Sequence, residues 1–249
     1  MSTPRFFALI IGTEILNRRR KDAHFEFLSQ RLKQQGYTLS GCFVIEDNPS
    51  LIAQTIAFIA QQPQSVLFSF GGIGSTPDDH TRQAVATALS DAELSLHQEA
   101  KCIIEKALGK SAYPHPIEMA YLPKGATLLK NPINQMPAFA LAHRFFFMPG
   151  FPQMSHPMVE NILAQHFPQT VQTYRYTLIA QTKENLFIPL MKEAPQQIEV
   201  SSLPKQKEDG WEVTLSVSGR EKEKTARYFQ RYCKLLKEEH IRFKEIEES

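Results

Sequence analysis

The residues of this chain that are best suited to chemistry lie between positions 71 and 79, directly after an apolar run. They are three glycines and two adjacent acids: Gly71, Gly72, Gly74, Asp78 and Asp79. Glycines let backbone amides approach a ligand that a Cβ atom would exclude, and the start of a following helix adds donors and partial positive charge that suit phosphate. Two carboxylates would repel phosphate unless a divalent cation lies between them or one of them accepts a hydrogen bond from the ligand. The pattern therefore predicts a phosphorylated ligand bound together with a metal ion.

A purely structural interpretation of the same segment stays open. Thr76, Pro77 and Asp79 also match a helix N-terminus, with threonine as the cap, proline in the first turn and the acid bonding back to the cap. That interpretation accounts for one acid but not for the three glycines. Two nucleotide-binding motifs are excluded, because Pro77 occupies the place of the third glycine of a dinucleotide-binding loop and no Gly-Lys-Ser/Thr triplet occurs. The sequence therefore indicates neither a Rossmann dehydrogenase nor a P-loop NTPase.

Composition narrows the class of protein. The chain has 249 residues and a formal net charge of +2, which predicts two domains and gives no electrostatic footprint for nucleic acid. The cysteines form no CxxC pair, which argues against a disulfide framework or a zinc site and favours a reducing cytosol. The apolar run near the N-terminus is too short for a secretion signal or a membrane span. We therefore expect a soluble, cytoplasmic protein that binds neither nucleic acid nor membrane.

Apolar runs alternate with helical stripes in the first part of the chain. The predicted order is strand 6–11, a helix from 25 that ends near 36, strand 42–45, helix 51–59, strand 66–70, helix 81–89 and later strand 145–148. Such alternation is typical of a parallel sheet with right-handed crossovers, and ligands bind beyond the carboxyl ends of its strands. The loops that follow the strands then share one edge. Their acids, among them Glu14 and Asp47, are predicted to converge on one pocket.

Several motifs resemble one known family. Gly12-Thr13-Glu14-Ile15-Leu16, Asp47, the segment 71–81 and Met148-Pro149-Gly150-x-Pro152 are similar to the molybdopterin-binding-like domain of the competence/damage-inducible protein A family. That domain is related to the molybdenum-cofactor biosynthesis proteins of the MoaB/Mog type and to the domain fused to eukaryotic FAD synthase. The resemblance covers residues 5–168. It implies a three-layer α/β fold around a mostly parallel sheet.

The resemblance also implies a site. Its catalytic residues would be Asp47 and Asp79, and its metal ligands Glu14, Asp78 and Asp79. The residues that it implies for substrate binding are Gly12, Thr13, Glu14, Gly71, Gly72, Gly74, Ser75, Thr76, Thr81, Pro149 and Gly150. Arg18, which departs from the family pattern, is a further candidate for substrate binding because its guanidinium can pair with phosphate.

The activity that the resemblance implies is hydrolysis of a nucleotide diphosphate linkage, as in ADP-ribose or FAD. The expected cofactor is Mg²⁺, Mn²⁺ or Co²⁺, and the expected assembly is a homodimer or homotrimer. Two alternatives stay open. One is a non-catalytic protein that binds molybdopterin or a nucleotide, and the other is a remodelled domain that acts in oligomerisation.

This chain departs from the family pattern in the loops around the predicted pocket. Arg18 stands where the family usually has glycine, and the cations 18–21 are candidates for pairing with ligand phosphate. His24 replaces an asparagine, and the roles of metal ligand, acid and surface residue stay open for it. The loop 131–139 lacks the family's two glycines, so its Cβ atoms are expected to narrow the pocket. The amidase domain of longer members has no counterpart in this sequence, so no amidase activity is expected.

The residues after 168 predict a second, smaller α+β domain that spans 169–249. The patterns indicate strands at 174–179, 198–200 and 211–217, a helix at 182–193 and a charged final helix that contains Phe229 and Leu236. The sequence of this βαββα domain shows no set of residues typical of a catalytic site. A role in assembly or as a lid is expected for it.

Overall fold

The apolar runs of the N-terminal part become the strands of one mixed sheet. The structure is a computed structural model that describes residues 4–168, 172–208 and 210–246. The strands of this part are β1 (Arg5–Ile11), β2 (Leu39–Ile45), β3 (Ser65–Phe70), β4 (Leu94–Leu96), β5 (Tyr121–Pro123), β6 (Thr127–Leu129), β7 (Ala138–Leu141) and β8 (Phe145–Met148). Six of them form a sheet in the order β2-β1-β3-β8-β7-β6, and β4 pairs with β5 as a separate antiparallel ribbon.

Four neighbouring strands of the sheet run parallel. β2, β1, β3 and β8 are parallel to one another, whereas β7 is antiparallel to β8 and β6 is antiparallel to β7. Every residue of β3 and β8 is buried, as is every residue of β1 after Arg5. Strands that are covered on both faces need apolar side chains on both faces, which is why these segments read as continuous apolar runs. The carboxyl ends of the four strands therefore lie along one edge, as predicted.

Helices form the two outer layers. They are α1 (Thr13–Leu16), α2 (His24–Gln34), α3 (Pro49–Ala60), α4 (Thr81–Leu89), α5 (Gln98–Leu108) and α6 (Pro152–His166), with 3₁₀ turns at Gly109–Ala112 and Pro116–Ala120. α2 packs against α6, and α3 packs against α4. The three-layer α/β fold is thus confirmed. Gly36 follows α2 with a φ of 76°, a conformation that favours glycine at a helix end.

The start of α4 differs from the capping interpretation. The helix begins at Thr81, whereas Thr76 and Asp79 belong to a separate turn in which the Asp79 amide donates to the Thr76 carbonyl at 3.0 Å. Thr81 is fixed to the glycines instead, because its amide donates to the Gly72 carbonyl at 2.9 Å and its hydroxyl to the Gly71 carbonyl at 3.0 Å. The prediction of Thr76 as the helix cap is therefore wrong. The bond from the Thr76 amide back to the Asp79 carboxylate is nevertheless present.

The chain divides into two units, Met1–Thr170 and Val171–Ser249, a division that falls two residues after the predicted boundary at 168. The elements of the second unit are β9 (Tyr174–Ala180), a 3₁₀ turn (Glu184–Leu186), α7 (Ile188–Lys192), β10 (Ile198–Lys207), β11 (Gly210–Gly219), α8 (Lys222–Glu238) and β12 (Phe243–Ile246). Its antiparallel sheet has the order β10-β11-β9-β12. Leu215, Phe229 and Tyr232 lie in its core.

Three features of the second unit differ from the prediction. The strand predicted at 198–200 extends to Lys207 as β10. The helix expected over 182–193 is interrupted, because Pro189 lacks an amide hydrogen and its ring would clash with the carbonyl four residues earlier, so only a 3₁₀ turn and the short α7 form. The strand β12 was not predicted, since its four residues include a lysine and a glutamate. Within the three described ranges, no helix is long and apolar enough to cross a membrane.

Candidate functional site

A cavity of about 440 Å³ lies in the first unit, where β1, β3 and β8 end. The predicted residues that line it are Glu14, Asp47, Gly71, Gly72, Gly74, Ser75, Thr76, Asp78, Asp79, Pro149 and Gly150. The structure thus brings together loops that are far apart in the sequence. Other predicted substrate-binding residues do not line the cavity; these are Gly12, Thr13, Arg18 and Thr81.

The loop at 71–76, here called the glycine loop, presents backbone hydrogen-bond donors. Among the described residues, the amide N–H groups of 72–75 donate to no protein group. Gly71 has a φ of 105°, and a Cβ atom there would lie 2.4 Å from the Ile11 carbonyl oxygen, so the loop requires glycine at its start. Buried or partly buried amides need a hydrogen-bond partner, and consecutive amides around a concavity bind anions. The loop is therefore a candidate phosphate site.

Two aspartates in the wall are each held by a threonine. Asp47 Oδ2 accepts hydrogen bonds from the Thr13 amide and hydroxyl, both at 2.8 Å. Asp79 Oδ2 accepts from the Thr76 amide at 2.8 Å and from the Thr76 hydroxyl at 2.5 Å. Within the described ranges, neither Oδ1 takes part in a hydrogen bond. Each pair fixes one carboxylate oxygen and leaves the other available to a ligand.

Thr13 and Thr81, two of the predicted substrate-binding residues, both bond to protein groups. Thr13 positions Asp47, and the fully buried Thr81 holds the glycine loop. The first amide of α4 is also used, since it donates to Gly72. Of the predicted phosphate donors at the start of this helix, this amide is thus already used.

Arg82 is a site residue that the sequence reasoning missed. It is 8% exposed, and it donates hydrogen bonds to the Gly74 carbonyl at 2.8 Å, to the Tyr121 carbonyl at 3.3 Å and to the Glu118 carbonyl. Burial lowers the pKa of the guanidinium, and the charges of Asp79 and Glu118 oppose that shift. An arginine directly after the predicted Asp-x-Thr motif was the available signal, because arginine is seldom buried without a structural or binding role.

His24 is a buried residue, which rules out the surface position that was one of its three possible roles. It is 3% exposed, it stacks on Phe70 with ring centroids 4.3 Å apart, and its Nε2 lies 3.3 Å from the Gly150 carbonyl oxygen. Burial lowers its pKa to about 4, and the bond to Gly150 opposes that shift. The ring is therefore neutral near pH 7. Arg20 also donates to the Gly150 carbonyl, at 3.1 Å, so two side chains fix this loop against the cavity.

Among the cations at 18–21, the side chain that lines the cavity is that of Arg20 and not that of Arg18. Arg18 is exposed and has a φ of 61°. Arg20 lies over the ring of Phe151, 5.5 Å from its centroid, and 3.9 Å from the Glu14 carboxylate. A guanidinium at the cavity wall suits an anionic ligand.

The predicted metal ligands do not form a closed protein site. The described residues contain no group of three or more histidine, cysteine, aspartate or glutamate side chains placed to hold a metal ion. Glu14, Asp78 and Asp79 line the same cavity but do not make such a group. The carboxylates can supply only part of the coordination shell of a divalent cation.

Comparisons with known proteins agree with the geometry. Residues 7–169 match the family described as "Probable molybdopterin binding domain". This chain belongs to the molybdopterin-binding-domain family. Protein TK1472 of Thermococcus kodakarensis is a family relative 29% identical over 212 residues, which cover 79% of this chain and 84% of that protein. A CinA-like protein of Acaryochloris marina is 32% identical over 169 residues, and this match covers 65% of the chain but only 40% of that longer protein.

A solved structure shows the same fold. The protein CinA of unknown function from Thermoplasma acidophilum is 24% identical, with a TM-score of 0.58, and the match covers 64% of this chain and 96% of that one. The family match falls on the first unit, which holds the cavity. The family match and the structural similarity both support the resemblance that the sequence motifs carry.

Several apolar side chains line the cavity together with the polar groups described above. Asn134, Met136 and Pro137 come from the loop that lacks the family's glycines, and they line the cavity as the prediction of a narrower pocket requires. The apolar lining also includes Met119 and Met154, which no motif predicted, together with Phe151 of the 148–152 motif and residues of β1 and β3 such as Ile10 and Phe70. Methionine side chains adapt to flat or irregular ligands.

Proposed function

We propose that this chain binds a phosphorylated nucleotide or pterin in the cavity and hydrolyses a diphosphate linkage of a nucleotide with the help of a divalent cation. The observation that carries this proposal is the glycine loop, whose four consecutive amides at 72–75 lack a partner among the described residues and whose residues line the same cavity as Asp47 and Asp79. The amides would bind phosphate oxygens. The apolar lining would contact the ring of the base or pterin.

The residues fit a cation that is shared with the substrate. Mg²⁺ is commonly held by one or two carboxylates together with substrate phosphates and water, rather than by a complete set of protein ligands. The open Oδ1 atom of Asp79 would provide such a carboxylate oxygen, and Glu14 and Asp78 line the same cavity, whereas the open Oδ1 atom of Asp47 is left for proton transfer. When bound, the cation would polarise the diphosphate and lower the pKa of a coordinated water.

The protein groups then have separate roles. The loop amides hold the non-bridging oxygens of the diphosphate and stabilise the charge that grows on them during attack. Asp47 accepts a proton from the attacking water as the new P–O bond forms and the bond to the bridging oxygen breaks. Thr13 and Thr76 keep the two carboxylates in place throughout.

A second candidate function uses the same cavity without turnover. The family description, a probable molybdopterin-binding domain, favours a protein that binds molybdopterin or a nucleotide and releases it unchanged. The two functions require the same phosphate loop and differ only in whether the diphosphate is cleaved. A homo-oligomer, dimer or trimer, remains a prediction under either function.

A ligand panel tests both functions. Thermal shifts would be measured with ADP-ribose, FAD, NAD, AMP and a pterin, each with and without Mg²⁺, Mn²⁺ or Co²⁺, because a ligand that binds the folded state stabilises it. A shift that needs the metal and disappears in Asp79→Asn, but persists in the exposed control Asp91→Asn, supports the site. Release of AMP from a shifting dinucleotide identifies the hydrolase, and a shift without any product identifies the binding protein. If no ligand shifts the wild type, the proposed function is wrong.

A further inference from the structure

Arg82 connects two walls of the cavity that no motif of the sequence relates. One wall is the glycine loop, where Arg82 bonds to the Gly74 carbonyl at 2.8 Å. The other is the segment that carries Met119, where Arg82 bonds to the carbonyls of Glu118 and Tyr121 on either side of that methionine. One guanidinium thus fixes the spacing between the proposed phosphate loop and the apolar lining.

The bonds of Arg82 are directed by the shape of its side chain. Guanidinium presents donors in a rigid planar fork, so one group can bind carbonyls of two separate segments at fixed angles. A lysine ammonium is a compact point charge on a flexible stem and cannot reproduce that geometry. Arg82 itself is the second residue of α4, and Thr81 before it already anchors the helix to Gly71 and Gly72. The start of α4 therefore holds the Arg82 guanidinium at a fixed position next to the glycine loop.

The charge of Arg82 is also not neutralised by an ion pair. Within the described ranges, its recorded partners are carbonyl oxygens, and no carboxylate lies within 4 Å of it. The carboxylates of Asp79 and Glu118 act on it from a greater distance. An unpaired buried cation directly behind Gly74 raises the positive potential at the loop amides, where an anion would bind.

We propose that Arg82 is a positioning residue for ligand binding, which sets the distance between the glycine loop and the Met119 segment and adds positive potential at the loop. This inference rests on the proposed function, because it concerns the same cavity. It predicts that Arg82 acts on ligand affinity in the folded protein and not only on folding. The residue itself is not proposed to touch the ligand.

The test compares Arg82→Ala and Arg82→Lys with the wild type and with Gln83→Ala, a control on the next, exposed position of α4. Hydrogen exchange of the full chain is measured first, without any ligand. In Arg82→Ala we expect exchange of the hydrogen-bonded amides of Gly71 and Thr76 in the glycine loop, of Thr81 after it, and of Glu118 and Tyr121 in the Met119 segment to rise together by at least tenfold, while α2 is unchanged. Unchanged exchange at both segments would overturn the inference, whatever the ligand results show.

Binding is then measured with ADP-ribose and Mg²⁺ by calorimetry, well below the melting temperature of each variant. We expect the Kd to rise at least tenfold in Arg82→Ala, less in Arg82→Lys, and not in Gln83→Ala. Added methylguanidinium should restore affinity to Arg82→Ala, an effect that a purely structural loss of stability would not show. An unchanged Kd with a lowered melting temperature would overturn the inference while leaving the proposed function intact.

The two failures are separable. If the wild type binds neither ADP-ribose nor any other member of the panel, the proposed function fails, and the exchange experiment alone then decides whether Arg82 couples the two walls. If Arg82→Ala does not fold, Arg82→Lys takes its place, because it keeps the charge and loses the fork. A lysine variant with wild-type exchange and Kd would show that the fork is not needed, and the inference would be wrong.

Discussion

The buried neutral His24 should make the stability of the first unit depend on acid. Its pKa is lowered to about 4 in the folded protein, chiefly by burial, whereas an unfolded histidine has its usual value of 6.5. Because the folded state binds this proton more weakly than the unfolded state, the contribution of neutral His24 to the free energy of unfolding is fully present above pH 6.5. It is lost as the pH falls from 6.5 to 4. A shift from 6.5 to 4 corresponds to about 3 kcal/mol in total, of which about 2 kcal/mol is lost by pH 5.

The measurement compares wild type with His24→Gln at pH 7.5 and pH 5.0. Urea unfolding would be followed by hydrogen exchange of peptides from β1 and α2, so that the readout concerns the first unit. We expect the wild type to lose about 2 kcal/mol more than the variant between the two values of pH. His115→Gln, an exposed position, is the control and should keep the wild-type dependence.

Equal losses in wild type and His24→Gln would refute the reasoning. A direct check is the NMR titration of the His24 ring in the folded protein. A midpoint near 6.5 would show that burial does not weaken proton binding there, and the expected acid sensitivity would then have no source in this residue.

Three further predictions concern the cavity. Gly71→Ala should lower the free energy of unfolding, measured in urea, by about 3 kcal/mol, because its Cβ would lie 2.4 Å from the Ile11 carbonyl oxygen. Gly125 is the control: it has a φ of 80° but open space around it, so Gly125→Ala should lower the same free energy by only about 1 kcal/mol. Thr13→Val removes the hydroxyl bond to Asp47 and should raise the calorimetric Kd for ADP-ribose with Mg²⁺ about tenfold, unlike a valine at the exposed Thr87; an equal Kd would contradict the role given to the Thr13–Asp47 pair. Mg²⁺ alone should bind only weakly in calorimetry, and tight binding without a diphosphate would contradict a shared cation.

The first unit was predictable from its sequence for a physical reason. Strands buried on both faces need continuous apolar runs, and the loops after parallel strands must meet at one edge. The short strands β4–β7 were missed because runs of three or four residues carry no period that separates strand from loop. The interruption at Pro189 could have been predicted from the sequence, because a proline inside a helical pattern breaks the helix even where apolar residues recur at helical spacing.

The candidate site was predictable in its residue types but not in their partners. Thr13, Thr76 and Thr81 are polar residues at the correct edge, and a hydroxyl there can serve a ligand or a neighbouring carboxylate equally well. The folded backbone decides between the two, because it places Thr13 and Thr76 against aspartates and Thr81 against the Gly71 carbonyl. Arg82 was missed for the same reason, since its carbonyl partners at 118 and 121 are visible only once the chain has folded.

This division between predictable and unpredictable residues also bears on ligand choice. Under the proposed function, the glycine loop with Asp78 and Asp79 is a local motif that would bind phosphate, a group that nucleotides and phosphorylated pterins share. Discrimination among such ligands requires contacts with the part that differs, and the lining suited to that part comes from Met119, Met136, Phe151 and Met154. These residues belong to separate segments that only tertiary packing brings together, one of them tied to the loop through Arg82. Substitutions in this lining should therefore change the preferred ligand within the panel, whereas substitutions in the glycine loop should weaken all of its phosphorylated members alike.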